Sequence, residues 1–459
     1  MKIIRRLGAT ERAIWLRDRI YPMHFSLTAQ IIGEIAPESL QFALARLQER
    51  HPLLRVRIAL DSAKHPCFVE DYAPIPVRIV DRQASNQWER EVEAELAMPF
   101  RSNAAPLMRV VWVRSATISE LIITCDHAIA DGLSAVNLIQ DLLQSLTNPD
   151  AALEQLSVPP AQEKLLPDWD RRRESFYQKL RRRSLLWLVG ALYSIKQLIS
   201  QPNSSPFSHR HRLHSGALSA EILTALKRQC REEKTTVHGA ICAAFLLAIA
   251  NQKGENQPQA LKCLSPINLR PYFTGNVAND CGLYILTGLT IHAISAEMNL
   301  WELARSLKSQ LMAQMTVDSL REKAVKCDRL MSVNPSPQMV QQAFVKHQGY
   351  DLMVTNLGQL NLSQQFANLR LQAIYGPGVL GGIESETVVG VASLGEQLFF
   401  TLLYPESTLS FPETEMLSQR AIQLLVRAIG FERGKSGFNR ILPASTVGKM
   451  SKGSYTSQL

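Results

Sequence analysis

The 459-residue chain has few of the signals that mark secreted, membrane-spanning or metal-binding proteins. Its seven cysteines are an odd number and form no C-x-x-C pair, and most lie in apolar stretches. This pattern predicts reduced, buried thiols in a cytoplasmic protein. The basic N-terminus, residues 1–10, lacks the apolar core of a signal peptide. The longest nearly uncharged apolar run, residues 184–195, is shorter than the ~20 residues that a membrane-spanning helix needs.

Nucleic-acid-binding motifs are also missing, although the net charge is +9 and the pI is near 9.2. The sequence contains no zinc-finger spacing, RNP-like motif or helix-turn-helix pattern, so we expect no nucleic acid partner. The excess of positive charge instead favours an anionic partner. This partner could be a membrane surface, a substrate such as coenzyme A, or an acidic carrier protein.

Hydrophobic residues make up 46% of the chain and charged residues 20%, which is typical of a folded soluble protein. The chain is too long for a single hydrophobic core of ordinary size, so we predict two domains. Between residues 147 and 210 the composition changes, with proline- and asparagine-rich breakers on both sides of a basic, aromatic stretch. We therefore predict an N-terminal lobe (1–160), a linker region (161–208), a C-terminal lobe (209–440) and a flexible tail (441–459).

Both halves alternate between strand and helix periodicity, which predicts an α/β fold of mixed sheets with helices packed on them. The predicted strands are 26–35, 53–60, 107–114, 120–125, 211–218, 261–267, 282–292, 352–355, 369–375, 388–394 and 397–404. The predicted helices are 37–50, 87–98, 133–146, 219–232, 235–251, 301–315 and 413–429. The short polar turn between 107–114 and 120–125 indicates a hairpin.

The basic, aromatic stretch 171–199 allows two interpretations. Six arginines beside tryptophan, leucine and tyrosine would suit an interfacial helix on anionic lipid, and hence peripheral membrane contact. The alternative, which we favour, is a linker helix that packs on the body with its arginines in water.

The segment most suggestive of chemistry is His127-Ala128-Ile129-Ala130-Asp131-Gly132, which follows the apolar strand 120–125 and precedes a helix. A histidine at the exit of a buried strand can project into a cleft from a rigid backbone, as a general base must. Asp131 either pairs with a cation or caps the following helix, and Gly132 is expected to permit a turn that other residues would resist.

Three other features are weaker candidates. His209, His211 and His214 alternate along a strand, but no carboxylate or cysteine is near them in the sequence, so we expect no metal site. The glycine-rich stretch 376–382 lacks a phosphate-loop lysine and is expected to be a turn. Cys125 lies two residues before His127 and is more typical of a buried structural thiol than of a nucleophile.

The histidine segment resembles the active-site motif of the coenzyme-A-dependent acyltransferase superfamily. That superfamily includes peptide-synthetase condensation domains, chloramphenicol acetyltransferase, plant-type O-acyltransferases and the mycobacterial polyketide-associated acyltransferases. Four further stretches match the superfamily in order along the chain: 47–55 (LQERHPLLR), 236–240 (TVHGA), 265–271 (SPINLRP) and 354–358 (VTNLG). The resemblance implies two chloramphenicol-acetyltransferase-like lobes with an active-site tunnel between them.

The resemblance also implies residue roles. His127 takes the place of the general base, which activates a hydroxyl or amine that attacks an acyl thioester without a covalent acyl-enzyme. Asp131 takes the place of the family's motif aspartate, which pairs with an arginine of a later strand, and Arg270 takes the place of that arginine. Gly132 takes the place of the motif glycine. Thr355 and Asn356 lie in the segment near the tunnel and are candidate oxyanion donors.

Departures from the pattern narrow the expected product. Condensation domains usually carry a second histidine just before the catalytic one, and Asp126 occupies that position here. No D-F-G-W-G sequence is present, and we expect a free-standing enzyme without an attached carrier or adenylation domain. We therefore expect transfer to a lipophilic hydroxyl, as in the polyketide-associated and alcohol acyltransferases. The alternatives are a free-standing condensation-type enzyme that forms amides, and a non-catalytic binder of a carrier protein or lipid.

The expected donor is acyl-coenzyme A or an acyl group on the phosphopantetheine of a carrier protein, and no permanently bound cofactor is required. We expect a cytoplasmic monomer, associated at most with a membrane surface.

Overall fold

The computed structural model describes residues 2–169, 210–253, 259–295, 298–383 and 386–431. The stretch 171–199, with its predicted helix and membrane contact, and the tail 441–459 lie outside these ranges. The strands in chain order are β1 (Ile3–Arg6), β2 (His24–Ile32), β3 (Val56–Leu60), β4 (Pro66–Glu70), β5 (Val77–Asp81), β6 (Met108–Arg114), β7 (Ile118–Asp126), β8 (His211–Leu218), β9 (Gln259–Asn268), β10 (Ile285–Ile294), β11 (Leu352–Leu360), β12 (Gln365–Phe366), β13 (Leu369–Val379), β14 (Val388–Leu394) and β15 (Gln397–Pro405).

The α-helices of the described ranges lie between these strands and on their faces. In chain order they are α1 (Ala9–Asp18), α2 (Pro37–Arg50), α3 (Gln87–Ala97), α4 (Gly132–Thr147), α5 (Gln162–Leu165), α6 (Ala220–Glu232), α7 (Val237–Lys253), α8 (Leu300–Ala313), α9 (Val317–Met331), α10 (Pro337–Gln348) and α11 (Phe411–Ala428).

Two six-stranded sheets form the scaffold of the described ranges, with a small sheet β1-β4-β3 beside them. The first large sheet has the order β12-β13-β2-β7-β6-β5, and the second has the order β10-β9-β11-β14-β15-β8. Both are mixed, because β5 is parallel to β6 in the first, and β11 is parallel to β9 and β14 in the second. The predicted α/β class with mixed sheets is confirmed.

The two halves of the sequence are joined within one sheet. Strand β13 comes from the second half, yet it pairs antiparallel with β2, from Arg370 opposite Ile32 to Val379 opposite Phe25. The lobes are therefore not continuous stretches of chain, because residues 365–379 extend the sheet of the first half. The proposed boundaries at 160 and 209 stay a prediction.

Each large sheet carries its own apolar core. In the first half, β2 and β7 bury nearly every side chain, α3 and α4 pack against them, and α2 packs against α4. In the second half, α7 is the central helix, and its residues 240–250 are all buried. A helix that is apolar on all sides requires such burial. In the described part of the chain no single helix is long and apolar enough to cross a membrane; only the bent pair 220–232 and 237–252 is, by length and composition alone.

Most predicted elements are present, including the β6–β7 hairpin and the exact spans of β8 and β14. The strand predicted over 53–60 is wrong in its first part, because Pro52–Arg55 forms a 3-10 turn and the strand begins at Val56. Proline fixes φ and lacks an N–H, so it favours the first turn of a helix over a strand pairing. Helices α1, α9 and α10 were not predicted.

Candidate active site

His127 lies immediately after β7, in a loop that the backbone holds on both sides. Its N–H donates to Met23 O at 3.0 Å, and its Nδ1 lies 2.9 Å from Ala130 O. The ring packs against Phe25, with 4.6 Å between the centroids. These contacts leave the imidazole little freedom to rotate, so its second nitrogen points in a fixed direction.

The hydrogen bond to Ala130 also determines the tautomer of His127. A carbonyl oxygen only accepts, so Nδ1 carries the proton and Nε2 has a free lone pair in the neutral ring. No hydrogen bond engages Nε2 in the ranges that the structure describes, and His127 lines a cavity that both halves of the chain form. Burial lowers the pKa of His127, with the bond to Ala130 and the charge of Asp131 acting in the opposite direction. The ring is therefore neutral near pH 7.

Asp131 and Arg270 form a bidentate ion pair between the two halves of the chain. Arg270 Nη1 lies 2.8 Å from Asp131 Oδ2 and Nη2 lies 3.0 Å from Oδ1. Burial acts to raise the pKa of Asp131, but the guanidinium and the bonds from Ser134 hold it below its ordinary value. A buried carboxylate with this many donors stays ionised.

The same carboxylate caps a helix, so the two roles that the sequence left open for Asp131 are both present. Its Oδ1 accepts from Ser134 N at 2.8 Å at the start of α4, and its Oδ2 accepts from Tyr284 N at 3.0 Å. Its own N–H donates to Gly282 O. The loop that carries His127 is thus attached to the second half through one side chain.

Gly132 is needed for a different reason than the sequence predicted. Its φ is not in the left-handed region, so no unusual turn is present. Instead, a Cβ at this position would lie 2.7 Å from Leu357 Cδ2 and 3.0 Å from Pro377 Cγ. The glycine therefore allows the start of α4 to approach β11 and β13 closely.

The cavity around His127 is formed by both halves, with an empty space of about 880 Å³ that includes open solvent at its mouth. The lining is mostly apolar. It includes His127, Asp131, Gly132, Arg270, Thr355 and Asn356, so the structure brings all six predicted site residues to one place.

Thr355 and Asn356 lie on β11 where its pairing with β14 becomes irregular. Asn356 Oδ1 accepts from Gly358 N at 2.8 Å, which leaves the amide NH₂ free of that turn. Gly358 has a φ of +74°, a conformation that glycine adopts without strain. The irregularity lets both neighbouring residues line the cavity, although adjacent strand residues ordinarily face opposite sides.

Asp126, which stands where condensation domains usually have a second histidine, is buried and faces the loop. Its Oδ1 accepts from Ala128 N at 2.8 Å. Burial, and then the nearby carboxyl of Asp18, raise the pKa of Asp126 well above its ordinary value. A largely protonated carboxyl here supports the loop and adds no second base.

The structure also locates two of the weaker candidates from the sequence, the Cys125 thiol and the histidine cluster around His211. Burial raises the pKa of the Cys125 thiol far above its ordinary value, so it is a core thiol rather than a nucleophile. His211 lies 3.4 Å from the buried Glu386, a carboxylate that is distant in sequence. Across the described ranges, no group of three or more histidine, cysteine or acidic residues is arranged to hold a metal ion.

Arg17, a charged residue at the cavity, was not predicted. Arg17, at the end of α1, is only 6% exposed, and it lines the cavity together with Phe344 of α10 and Gly381 after β13. The start of α1 is held by a hydrogen bond that Gly8 N donates to Glu11 Oε2. Nothing near Arg17 in the sequence indicated its neighbours.

The mixed two-sheet fold, with a histidine at the cavity between the halves, defines the class of condensation-type acyltransferases. The sequence profile described as Condensation domain matches residues 17–315, more than half of the chain. The chain therefore belongs to the condensation domain family.

The chain is similar to members of two kinds. It is 24% identical over 293 residues to chondramide synthase cmdD of Chondromyces crocatus, a match to 60% of this chain but only 7% of that synthase. It is 21% identical over 364 residues to "Probable alcohol acetyltransferase FCK4" of Fusarium pseudograminearum, covering 67% of this chain and 72% of that protein. Against the synthase, and against the other peptide synthases that it matches, the chain spans a small fraction of the whole protein.

A solved structure supports the fold over nearly the whole chain. Polyketide synthase associated protein 5 from Mycobacterium tuberculosis superposes with a TM-score of 0.61 and 15% identity, covering 93% of this chain and 98% of that one. The expected family and the two-lobe acyltransferase fold are confirmed.

Proposed function

We propose that this protein transfers an acyl group from a thioester to a hydroxyl acceptor, with His127 as the general base. The observation that carries the proposal is the placement of His127: its Nδ1 is engaged by Ala130 O, which leaves Nε2 without a partner in the described ranges, and the residue lines the cavity. A base must hold a free lone pair at working pH, and this ring does.

The reaction balances without any covalent acyl-enzyme. Nε2 of His127 takes the proton of the acceptor hydroxyl while the oxygen attacks the thioester carbonyl and a C–O bond forms. The tetrahedral oxyanion collapses, the C–S bond breaks, and the thiolate leaves with the proton that the imidazolium returns. Thr355 Oγ1 or Asn356 Nδ2 is the donor that we assign to the oxyanion, because both residues line the same cavity. Asp131, Gly132 and Arg270 hold the loop and take no part in proton transfer.

We favour an ester over an amide as the product. Asp126 replaces the second histidine of condensation domains, and the alcohol acetyltransferase relative is covered over more of its own length than the synthase relatives are over theirs. The apolar lining of the cavity suits a lipophilic acceptor. Amide formation is the second candidate, since peptide synthases match the chain with similar identity.

The donor that we propose is an acyl thioester of coenzyme A or of a carrier protein. Both end in the same phosphopantetheine arm, so the site chemistry does not choose between them. No permanently bound cofactor takes part in the proposed reaction.

Mass spectrometry of products tests this proposal. The purified chain is incubated with a panel of acyl thioesters, on coenzyme A and on a carrier protein, and with chain-matched alcohols and amines. We expect esters from wild type and none from His127→Ala. Amides alone would replace the ester proposal with the second candidate. Equal product from wild type and His127→Ala would remove the base assignment, and bound but unreacted substrate would favour a non-catalytic binder.

A further inference from the structure

Arg17 is a buried cation in a cavity whose other lining is mainly apolar. Its side chain is held in place from two sides. Nε donates to Gln341 Oε1 at 2.9 Å and Nη2 donates to Gly381 O at 2.5 Å, while the guanidinium lies over the Phe344 ring at 3.5 Å from its centroid. Gln341 is in turn fixed by a bond from its Nε2 to Gly382 O. The group is therefore rigid before any ligand binds.

The charge of Arg17 has no ion-pair partner in the described part of the chain, where no carboxylate lies within 4 Å of it. The charge of Glu386 acts on Arg17 and raises its pKa, but this carboxylate is already engaged by other groups. It accepts from Tyr350 Oη at 2.8 Å and from Gly381 N at 2.6 Å, and it lies 3.4 Å from His211. Burial lowers the pKa of Arg17 to about 10, which still leaves the guanidinium charged near pH 7.

Arg17 differs in this respect from Arg270, the other arginine of the cavity. Arg270 is neutralised by the bidentate contact with Asp131, whereas both protein acceptors of Arg17 are neutral. Buried charges in proteins are ordinarily paired, because the desolvation cost of a lone ion is high. A cation that is buried, rigid and compensated only by neutral dipoles is suited to an anion brought by a ligand.

We propose that Arg17 binds a carboxylate carried by one of the two substrates. This inference rests on the proposed function, since it names the substrate class of the same cavity. Two sources present the same chemistry: a hydroxy-acid acceptor, or an acyl donor that is the half-thioester of a dicarboxylic acid. A planar guanidinium and a carboxylate match in geometry through two parallel N–H···O bonds, and Nη1 is not used by any described protein acceptor.

Kinetics with matched substrates test the inference and separate the two sources. One arm compares ω-hydroxy fatty acids of several lengths with their methyl esters as acceptors, using a neutral acyl donor. The other arm compares succinyl-coenzyme A with butanoyl-coenzyme A, using a neutral alcohol. For wild type we expect a preference for the acid in one arm. In Arg17→Gln the acid-over-neutral ratio of kcat/KM in that arm should fall by about 10- to 100-fold, mainly through KM.

Two further variants support the interpretation of this ratio. Arg17→Lys keeps the charge but loses the planar fork, so an intermediate ratio is expected. Arg19→Gln is the matched control, because Arg19 lies two residues further along, is exposed and packs on Trp15 outside the cavity. Its ratio should equal that of wild type. If Arg17→Gln reduces kcat equally for acid and neutral substrates, Arg17 stabilises the fold or the oxyanion and the inference is overturned.

Binding measured without turnover makes the inference independent of catalysis. In His127→Ala, the preferred acid should raise the thermal midpoint of unfolding, its methyl ester should raise it less, and the added Arg17→Gln change should abolish the difference. An acid-specific shift, together with a wild type that shows no transferase activity, would keep the carboxylate site and reject the proposed function. Ester formation without any acid preference in either arm would keep the proposed function and reject the carboxylate site.

Discussion

At the scale of single residues, the site depends on one imidazole whose proton position is fixed by its own loop. Replacement of His127 by alanine removes the proposed base without disturbing the backbone bond from its N–H to Met23 O. General-base catalysis contributes about 100- to 10,000-fold, so we expect kcat/KM to fall by that factor. Steady-state kinetics on the best acceptor measure it. His347→Ala, on the exposed end of α10, is the control, and a loss as large in that variant would show that the effect is not specific.

The same imidazole predicts a pH dependence. Burial disfavours the charged ring and lowers the pKa of His127, so the neutral base persists to lower pH than it would in an exposed histidine. We therefore expect the acid limb of kcat/KM to have its midpoint below the ordinary histidine value of about 6.5. A pH series from acid to neutral, with the fold checked by circular dichroism at each point, gives this midpoint. A midpoint above the ordinary value would contradict a buried neutral base.

Site residues could be predicted where they lie in a recognisable sequence motif. His127, Asp131 and Gly132 lie in one short motif, and Arg270, Thr355 and Asn356 were found only because their own segments also resemble the family. Arg17 could not be found in this way. Its contacts are Gln341, Phe344 and Gly381, more than 300 positions away, and such contacts leave no local periodicity.

At the scale of elements, the ion pair between Asp131 and Arg270 attaches the start of α4 to the second half. In Asp131→Asn the amide still caps α4, but the guanidinium is left without its carboxylate. Breaking a buried pair by removing one partner costs about 3–5 kcal/mol, and we expect this loss in the free energy of unfolding. Denaturant titration measures it. The double variant with Arg270→Gln should cost less than the sum of the single changes, and strict additivity would argue against direct coupling.

The close approach of α4 to β11 gives a second prediction about elements. Gly132→Ala places a methyl group 2.7 Å from Leu357 Cδ2, and overpacking of this kind costs about 1–3 kcal/mol. The midpoint of chemical unfolding should fall accordingly. Gly275→Ala is the control, because its nearest neighbour, Leu165 Cδ2, is 4.0 Å away. Shortening the neighbour, in Gly132→Ala with Leu357→Ala, should recover part of the loss; without recovery, crowding against Leu357 is not the cause.

At the scale of the whole molecule, the sequence predicted the alternation of strands and helices but not how the strands are ordered. Period-two patterns report which face of a strand is buried, and a continuous apolar run indicates a strand that is buried on both faces, as β14 is. They do not report which strand is the neighbour. The placement of β13 beside β2 depends on pairing between residues more than 330 positions apart, as with Ile374 and Ala29, and no local pattern specifies it.

This crossing strand makes the two halves dependent on each other, although the sequence predicts a linker between them. Without β13, one edge of β2 would lose its antiparallel partner, and buried residues such as Phe25, Leu27 and Ile31 would lose cover. Exposed apolar sheet edges promote aggregation. We therefore expect residues 1–169 expressed alone to be insoluble or to lack a cooperative thermal transition.

Co-expression with residues 210–459 should restore a soluble complex and its acyl transfer, because the bond from Asp131 N to Gly282 O and the ion pair with Arg270 both cross between the two pieces. Co-purification through a tag on one piece, followed by a thermal melt, measures this. Co-expression of the first piece with a version of the second that lacks residues 365–379 is the matched control, since it removes the crossing strand itself. A first piece that melts sharply on its own would mean that β13 is an addition to a complete lobe and not part of its core.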